Sequence, residues 1–177
     1  MPKLSKAVIR EKKETIEDAA RELHAREVEL GPAFQGLIDA QIAIMGHEAS
    51  RALGGEPQTE LSPRLRELLL EGAKVTPERL RSARDQADRC RRQLDEIFAT
   101  FDALLTPAAT GEAPAGLAAT GDPLFCRIWT LLGAPCASLP VLKGPAGLPV
   151  GLQVVGGRNR EDVLLSACAW ILGAALH

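Results

Sequence analysis

Near residue 100 the sequence changes its period, and that change limits the folds open to it. Up to Phe98 most of the apolar residues recur at helical spacing. Beyond it they gather into short runs separated by Gly and Pro. Leu80, Ala83, Ala87, Cys90, Leu94, Ile97 and Phe98 form one stripe of a long helix that opens at Thr76-Pro77, a cap followed by Pro in the first turn. Residues 101–105, Phe-Asp-Ala-Leu-Leu, then read as a buried strand running into Thr106-Pro107. Helices interspersed with short apolar strands give an α/β class. The strands are too few and too unevenly spaced for a self-contained doubly wound domain.

Other signals divide the chain further. Residues 3–10 read as a short strand or a frayed start. Ile16, Ala19, Ala20 and Leu23 mark one face of a helix over 11–25. Val28 and Leu30 alternate with Glu27 and Glu29 as a short half-buried strand, broken at Gly31-Pro32. A helix is expected over 33–53, ended by Gly54-Gly55. Another starts at Ser62-Pro63 and is closed by Gly72. After an irregular Ala/Gly/Pro/Thr stretch over 108–121, Asp122-Pro123 starts a helix that runs to Gly133. Strands are expected over 136–141 and 150–155, and a closing helix over 161–175. Gln153, between Leu152 and Val154, is expected to satisfy its amide on neighbouring backbone. Gly151 and the Gly133–Pro135 stretch are expected to mark tight backbone geometry.

Composition excludes several functions. The formal net charge is -2, without the basic surplus that a nucleic-acid or anionic-membrane binder needs. Arg79, Arg81, Arg84, Arg89, Arg91 and Arg92 alternate with Glu78, Asp85, Asp88 and Asp95, which reads as a solvated, ion-paired helix face. There is no run of about 20 apolar residues and no apolar signal core at the start, so a cytoplasmic protein with no membrane contact is expected. Cys90, Cys126, Cys136 and Cys168 form no C-x-x-C pair, and His24, His47 and His177 are scattered. No metal and no cofactor is therefore expected, and His47 reads as part of a helix face. With two Trp, four Phe and no Tyr, the core must be aliphatic.

Five segments from residue 101 onward carry a family resemblance. They are Phe-Asp-Ala-Leu-Leu-Thr-Pro-Ala-Ala at 101–109; Ala-Thr-Gly-Asp-Pro-Leu-Phe at 119–125; Trp129-Thr130-Leu131-Leu132-Gly133-Ala134-Pro135 with Ser138-Leu139-Pro140; the Gly-Leu-Pro-Val-Gly-Leu-Gln block at 147–153; and Asp162, Leu164, Leu165 and Ala167 in the last helix. In this order they resemble the carboxy-terminal portion of the amidase signature family. Glu48, Leu61-Ser62-Pro63, Gly72 and the 76–83 helix start resemble its preceding helical region. The resemblance implies a partial amidase-signature fold, a mixed β-sheet flanked by α-helices. It also implies a single domain over 1–177, mainly helical in 1–100 and sheet-forming in 101–177.

By resemblance, the activity is amide-bond hydrolysis with a Ser nucleophile, a bridging Ser and a Lys base, the serines lying in a Gly/Ser-rich loop. A Ser hydroxyl needs an adjacent base, and its oxyanion needs convergent N–H donors. Ser5, Ser50, Ser62, Ser82, Ser138 and Ser166 are neither flanked by Gly nor followed by a second Ser. No catalytic residue is therefore carried over. The chain is expected to be a truncated hydrolase, inactive alone. Its partner would be a missing amino-terminal half or a second copy, and it would meet a small amide substrate only once completed. The alternative is a non-catalytic remnant or interaction module that associates through an exposed sheet edge. By resemblance, Thr120, Gly121, Asp122, Phe125, Cys126 and Trp129 wall the substrate cleft. Core packing competes for Trp129, helix capping for Asp122, and a thiol nucleophile favoured by Arg127 is conceivable at Cys126.

Overall fold

A computed structural model describes residues 4–7, 13–57, 59–117 and 119–175. The expectations that fall on residues 1–3, 8–12 and 177 lie outside them. The chain forms two compact units, one from 1–31 with 92–177 and one from Pro32–Arg91.

Among its described residues the first unit is built on a mixed five-stranded sheet, in the spatial order Arg26–Val28, Leu4–Ala7, Ala103–Pro107, Pro149–Gly156 and Cys136–Lys143. β1 (Leu4–Ala7) pairs in parallel with β2 (Arg26–Val28) and with β3 (Ala103–Pro107). β5 (Pro149–Gly156) pairs antiparallel with β3 and with β4 (Cys136–Lys143). The expected mixed sheet flanked by helices is thus present, and two of its strands come from before residue 100. β3 is buried along its whole length, so its apolar run is continuous rather than alternating. β4 is an edge strand with a bulge between Leu139 and Leu142, where Pro140 is tolerated because an edge leaves its missing N–H unneeded.

Alternation along the strands sends side chains to two faces. On one face Ala103, Leu105, Leu139, Leu152 and Val154 pack with Leu164, Ala167, Cys168 and Ile171 of α6 (Glu161–Ala175) and with Ile16 of α1 (Lys13–Glu22). This cluster is aliphatic, as the scarcity of aromatics requires. α1 stops at Glu22, short of the expected residue 25. His24 takes a left-handed φ of 50°, and the Ala25 N–H closes on the Ala20 carbonyl at 2.8 Å, which turns the chain into β2.

The second unit holds α2 (Leu37–Leu53), α3 (Pro63–Ala73) and α4 (Pro77–Phe98) as far as Arg91. The helix expected from residue 33 begins only at Leu37. Pro32–Phe34 form a 3-10 turn, and Gly36 is left-handed at φ 71°. The reason lies far along the chain. Gln86 Nε2 donates to the carbonyls of Ala33 (3.1 Å) and Gln35 (2.7 Å), and Cys90 Sγ donates to Ala33 at 3.2 Å, so those acceptors are held by α4 side chains. The caps read from sequence form: Ser62 Oγ accepts from the Leu65 N–H, and Thr76 Oγ1 accepts from the Arg79 N–H. On the solvated face of α4, Arg81 pairs with Glu78 and Arg91 with Asp88. No helix among the described residues is long and apolar enough to cross a membrane.

Gly72 does not end α3. It is buried in the last turn, where the backbones of α2 and α3 meet at Gly46 and Gly72. A Cβ on Gly72 would overlap the Gly46 carbonyl. Gly→Ala in an ordinary helix interior gains about 1 kcal/mol. Here the overlap reverses the sign, and Gly72→Ala is expected to cost about 1–3 kcal/mol. Urea unfolding checks this: the midpoint falls if the two backbones meet as described, and a raised midpoint contradicts that packing.

Candidate functional site

The second face of the sheet carries the polar chemistry. Thr106 and Gln153 are directly opposite on β3 and β5, and both are buried. Thr106 Oγ1 donates to Gln153 Oε1 at 2.9 Å. Gln153 Nε2 donates to Cys126 Sγ at 3.6 Å, and Cys126 Sγ donates to the Ala108 carbonyl at 3.7 Å. These contacts form one directed chain of donors from β3 through β5 to α5 (Leu124–Leu132) and back to the residue after β3. Gln153 therefore finds side chains, not the neighbouring backbone expected from sequence.

Ser138 is opposite Gln153 on β4, and Cys136 is opposite Val155, so both belong to this face. Gly151 is glycine because a Cβ there would overlap the Ser138 hydroxyl and lie 2.8 Å from the Ala108 Cβ. Crowding around the Cys136 sulfur, with Cys126 beside it, pushes that thiol up to about 12, although the residue as a whole stays exposed. At neutral pH it is a thiol, not a thiolate nucleophile.

α5 starts where Asp122-Pro123 predicts. Asp122 Oδ1 accepts from the Leu124 N–H at 3.0 Å, an Asx-type turn that leads into the helix, whose cap position is Pro123. The helix ends at Gly133, left-handed at φ 70°, with the Ala134 N–H bonded to the Trp129 carbonyl. The cleft residues expected from sequence divide into two groups. Thr120, Gly121 and Asp122 are exposed at the mouth of α5, while Phe125 and Trp129 are each 1% exposed and belong to the core. Cys126 is half-buried between the groups and joins the Gln153 chain. Trp129 Nε1 is buried without a hydrogen-bond partner. Thr106 was the polar residue that sequence reasoning did not single out, and its position directly before Pro107 at the end of an apolar strand was the available signal.

Among the described residues, no three His, Cys, Asp or Glu side chains converge as a metal site. His47 and Glu48 line a shallow groove of about 460 Å³ in the helical unit, with Arg51, Leu80 and Arg84.

The amidase family profile matches residues 11–165. The chain belongs to the amidase family. Among curated relatives, this amidase-family chain is 37% identical over 92 residues to a glutamyl-tRNA(Gln) amidotransferase subunit from Synechococcus sp. (strain CC9311), covering 48% of this chain and 19% of that protein. It is 42% identical over 80 residues to the corresponding protein of Wolinella succinogenes, covering 41% of this chain and 18% of the relative. The matched segments thus cover less than a fifth of either relative's length. Among solved structures, one described as an amidase superposes with a TM-score of 0.70 at 29% identity, over 90% of this chain and 39% of that one. A bacterial aryl acylamidase of the amidase signature family shares the fold at a TM-score of 0.73 and 20% identity, over 98% and 44% of the two chains.

The buried Thr106–Gln153 pair is open to test. Thr106→Val removes the donor and leaves Gln153 Oε1 buried with nothing to accept, at a cost of about 1–3 kcal/mol. Thr106→Val with Gln153→Leu is expected to cost less than the sum of the two single changes, read from unfolding midpoints. Strict additivity would show that the pair does not interact.

Proposed function

We propose that this chain forms the carboxy-terminal side of an amide-hydrolysing site, whose nucleophilic serine and lysine base come from sequence outside these 177 residues. The exposed Thr120, Gly121 and Asp122, with half-buried Cys126, form the cleft wall, and Phe125 and Trp129 support it from beneath. The observation that carries this reading is how Ser50, Ser62, Ser138, Ser166, Lys74 and Lys143 are placed. Ser50 Oγ donates to the His47 carbonyl, Ser62 caps α3, and Ser166 Oγ donates to the Asp162 carbonyl. Lys74 is paired with Glu71 on an exposed helix surface. Ser138 and Lys143 share β4 but are five residues apart, about 16 Å along a strand. None of these is a hydroxyl beside its base.

Family membership supports the reaction class, hydrolysis of a carbon–nitrogen amide bond. The curated relatives are named as subunits, which supports a partner chain as one source of the missing half. Four free cysteines fit a reducing, cytoplasmic setting. Self-association through the β4 edge is the weaker reading, because Pro140 and the bulge in β4 blunt that edge.

Release of ammonia from small primary amides, and of arylamine from N-aryl amides, tests the proposal. The purified chain is expected to release none, and co-expression with an amidase amino-terminal half is expected to produce release. Failure of every completed enzyme to hydrolyse any amide would overturn the hydrolase reading. Release by the chain alone, abolished in Cys126→Ala, would replace it with a thiol mechanism.

A further inference from the structure

Between β4 and β5 the chain makes a turn closed by the Gly144 N–H on the Leu148 carbonyl and the Gly147 N–H on the Gly144 carbonyl, both at 2.9 Å. The N–H groups of Ala146 and Leu148 converge on one atom from elsewhere in the sequence. Glu112 Oε1 accepts from Ala146 at 2.9 Å and from Leu148 at 3.0 Å, across 34 and 36 residues. Gly144 makes room for it, since a Cβ there would overlap the Glu112 side chain. The segment that carries Glu112 leaves β3 at Ala108, whose N–H is bonded to the Gly151 carbonyl at 3.1 Å. Two residues past Glu112, Pro114 is near Gly121: a Cβ added to Gly121 would come within 3.8 Å of Pro114 Cδ. Gly121 is left-handed at φ 89° and stands between Thr120 and Asp122. Glu112 thus ties the β4–β5 turn to a segment whose Pro114 lies near Gly121, in the exposed part of the proposed cleft wall.

We infer that Glu112 is a positioning residue: its carboxylate ties the loop after β3 to the β4–β5 turn and so fixes where Thr120, Gly121 and Asp122 stand. This rests on the proposed cleft. Hydrogen bonds to an ionised acceptor are roughly twice as strong as neutral ones. One carboxylate oxygen that takes two backbone donors therefore suits a latch between segments with little other regular structure. Glutamine keeps an oxygen acceptor at the same position, whereas alanine removes it.

Hydrogen exchange of the 177-residue chain tests the latch directly. In Glu112→Ala, amides in 144–148 and in 109–117 are expected to exchange about tenfold faster together, while β3 and β5 stay protected. Glu112→Gln is expected to restore most of the protection in both segments. Unchanged exchange in 144–148, or release of that turn with 109–117 unaffected, would overturn the inference. Should Glu112→Ala also loosen β3, the glutamine variant decides: joint protection supports the latch, and protection lost in only one segment overturns it. In the completed enzyme, Glu112→Ala is expected to raise KM about tenfold with kcat little changed. An unchanged KM in an active enzyme contradicts the positioning role. An enzyme that hydrolyses nothing refutes the proposed function and leaves the exchange result to judge the latch.

Discussion

The sheet unit depends on β3. Its five residues are all buried, it pairs with β1 on one side and β5 on the other, and it turns side chains to both faces. Ala103 and Leu105 enter the aliphatic cluster with α6, while Leu104 and Thr106 face the other way. Central strands of this kind cannot be solvated on either face, so a continuous apolar run is the only pattern that suits one. Thr106 is the exception, and its cost is met by Gln153 directly across the ladder. The same strand then delivers the chain at Pro107 to the loop that carries Glu112 and the exposed residues of the proposed cleft wall.

What the sequence revealed and what it hid differ by range. Ser62-Pro63, Thr76-Pro77 and Asp122-Pro123 each act within three residues, and each sits at the helix start it announces. The strands expected at 101–105 and 150–155 form over Ala103–Pro107 and Pro149–Gly156, the first shifted two residues along the chain and both mostly buried. The features that escaped are set by distant partners. The delayed start of α2 depends on Gln86, 53 residues beyond Ala33. The role of Gln153 depends on Thr106, 47 residues earlier. Gly72 looked like a helix terminator, but its lack of a side chain serves the close approach of Gly46. Propensity and periodicity are local, and neither encodes a contact made across 47 or 53 residues of sequence.

The same division applies to the candidate wall. Six residues were expected to line a cleft because of a family resemblance, and membership of the amidase family is now established by the match over 11–165. Burial separates those six. Phe125 and Trp129 pack inside, whereas Thr120, Gly121 and Asp122 remain at the surface and Cys126 bridges the two groups. A wall of this type contributes shape and hydrogen bonding. A nucleophile requires a base and an oxyanion hole at hydrogen-bond distance. The proposed division of labour places those groups in another stretch of sequence.

Labelling with a serine-directed fluorophosphonate, read by intact mass and then by peptide mapping, tests that division most directly. The 177-residue chain is expected to stay unmodified. After completion with an amidase amino-terminal half, one label is expected, on a serine of the added half. A stoichiometric label on Ser138, or on any other serine of this chain, would contradict the assignment and place the nucleophile within these residues.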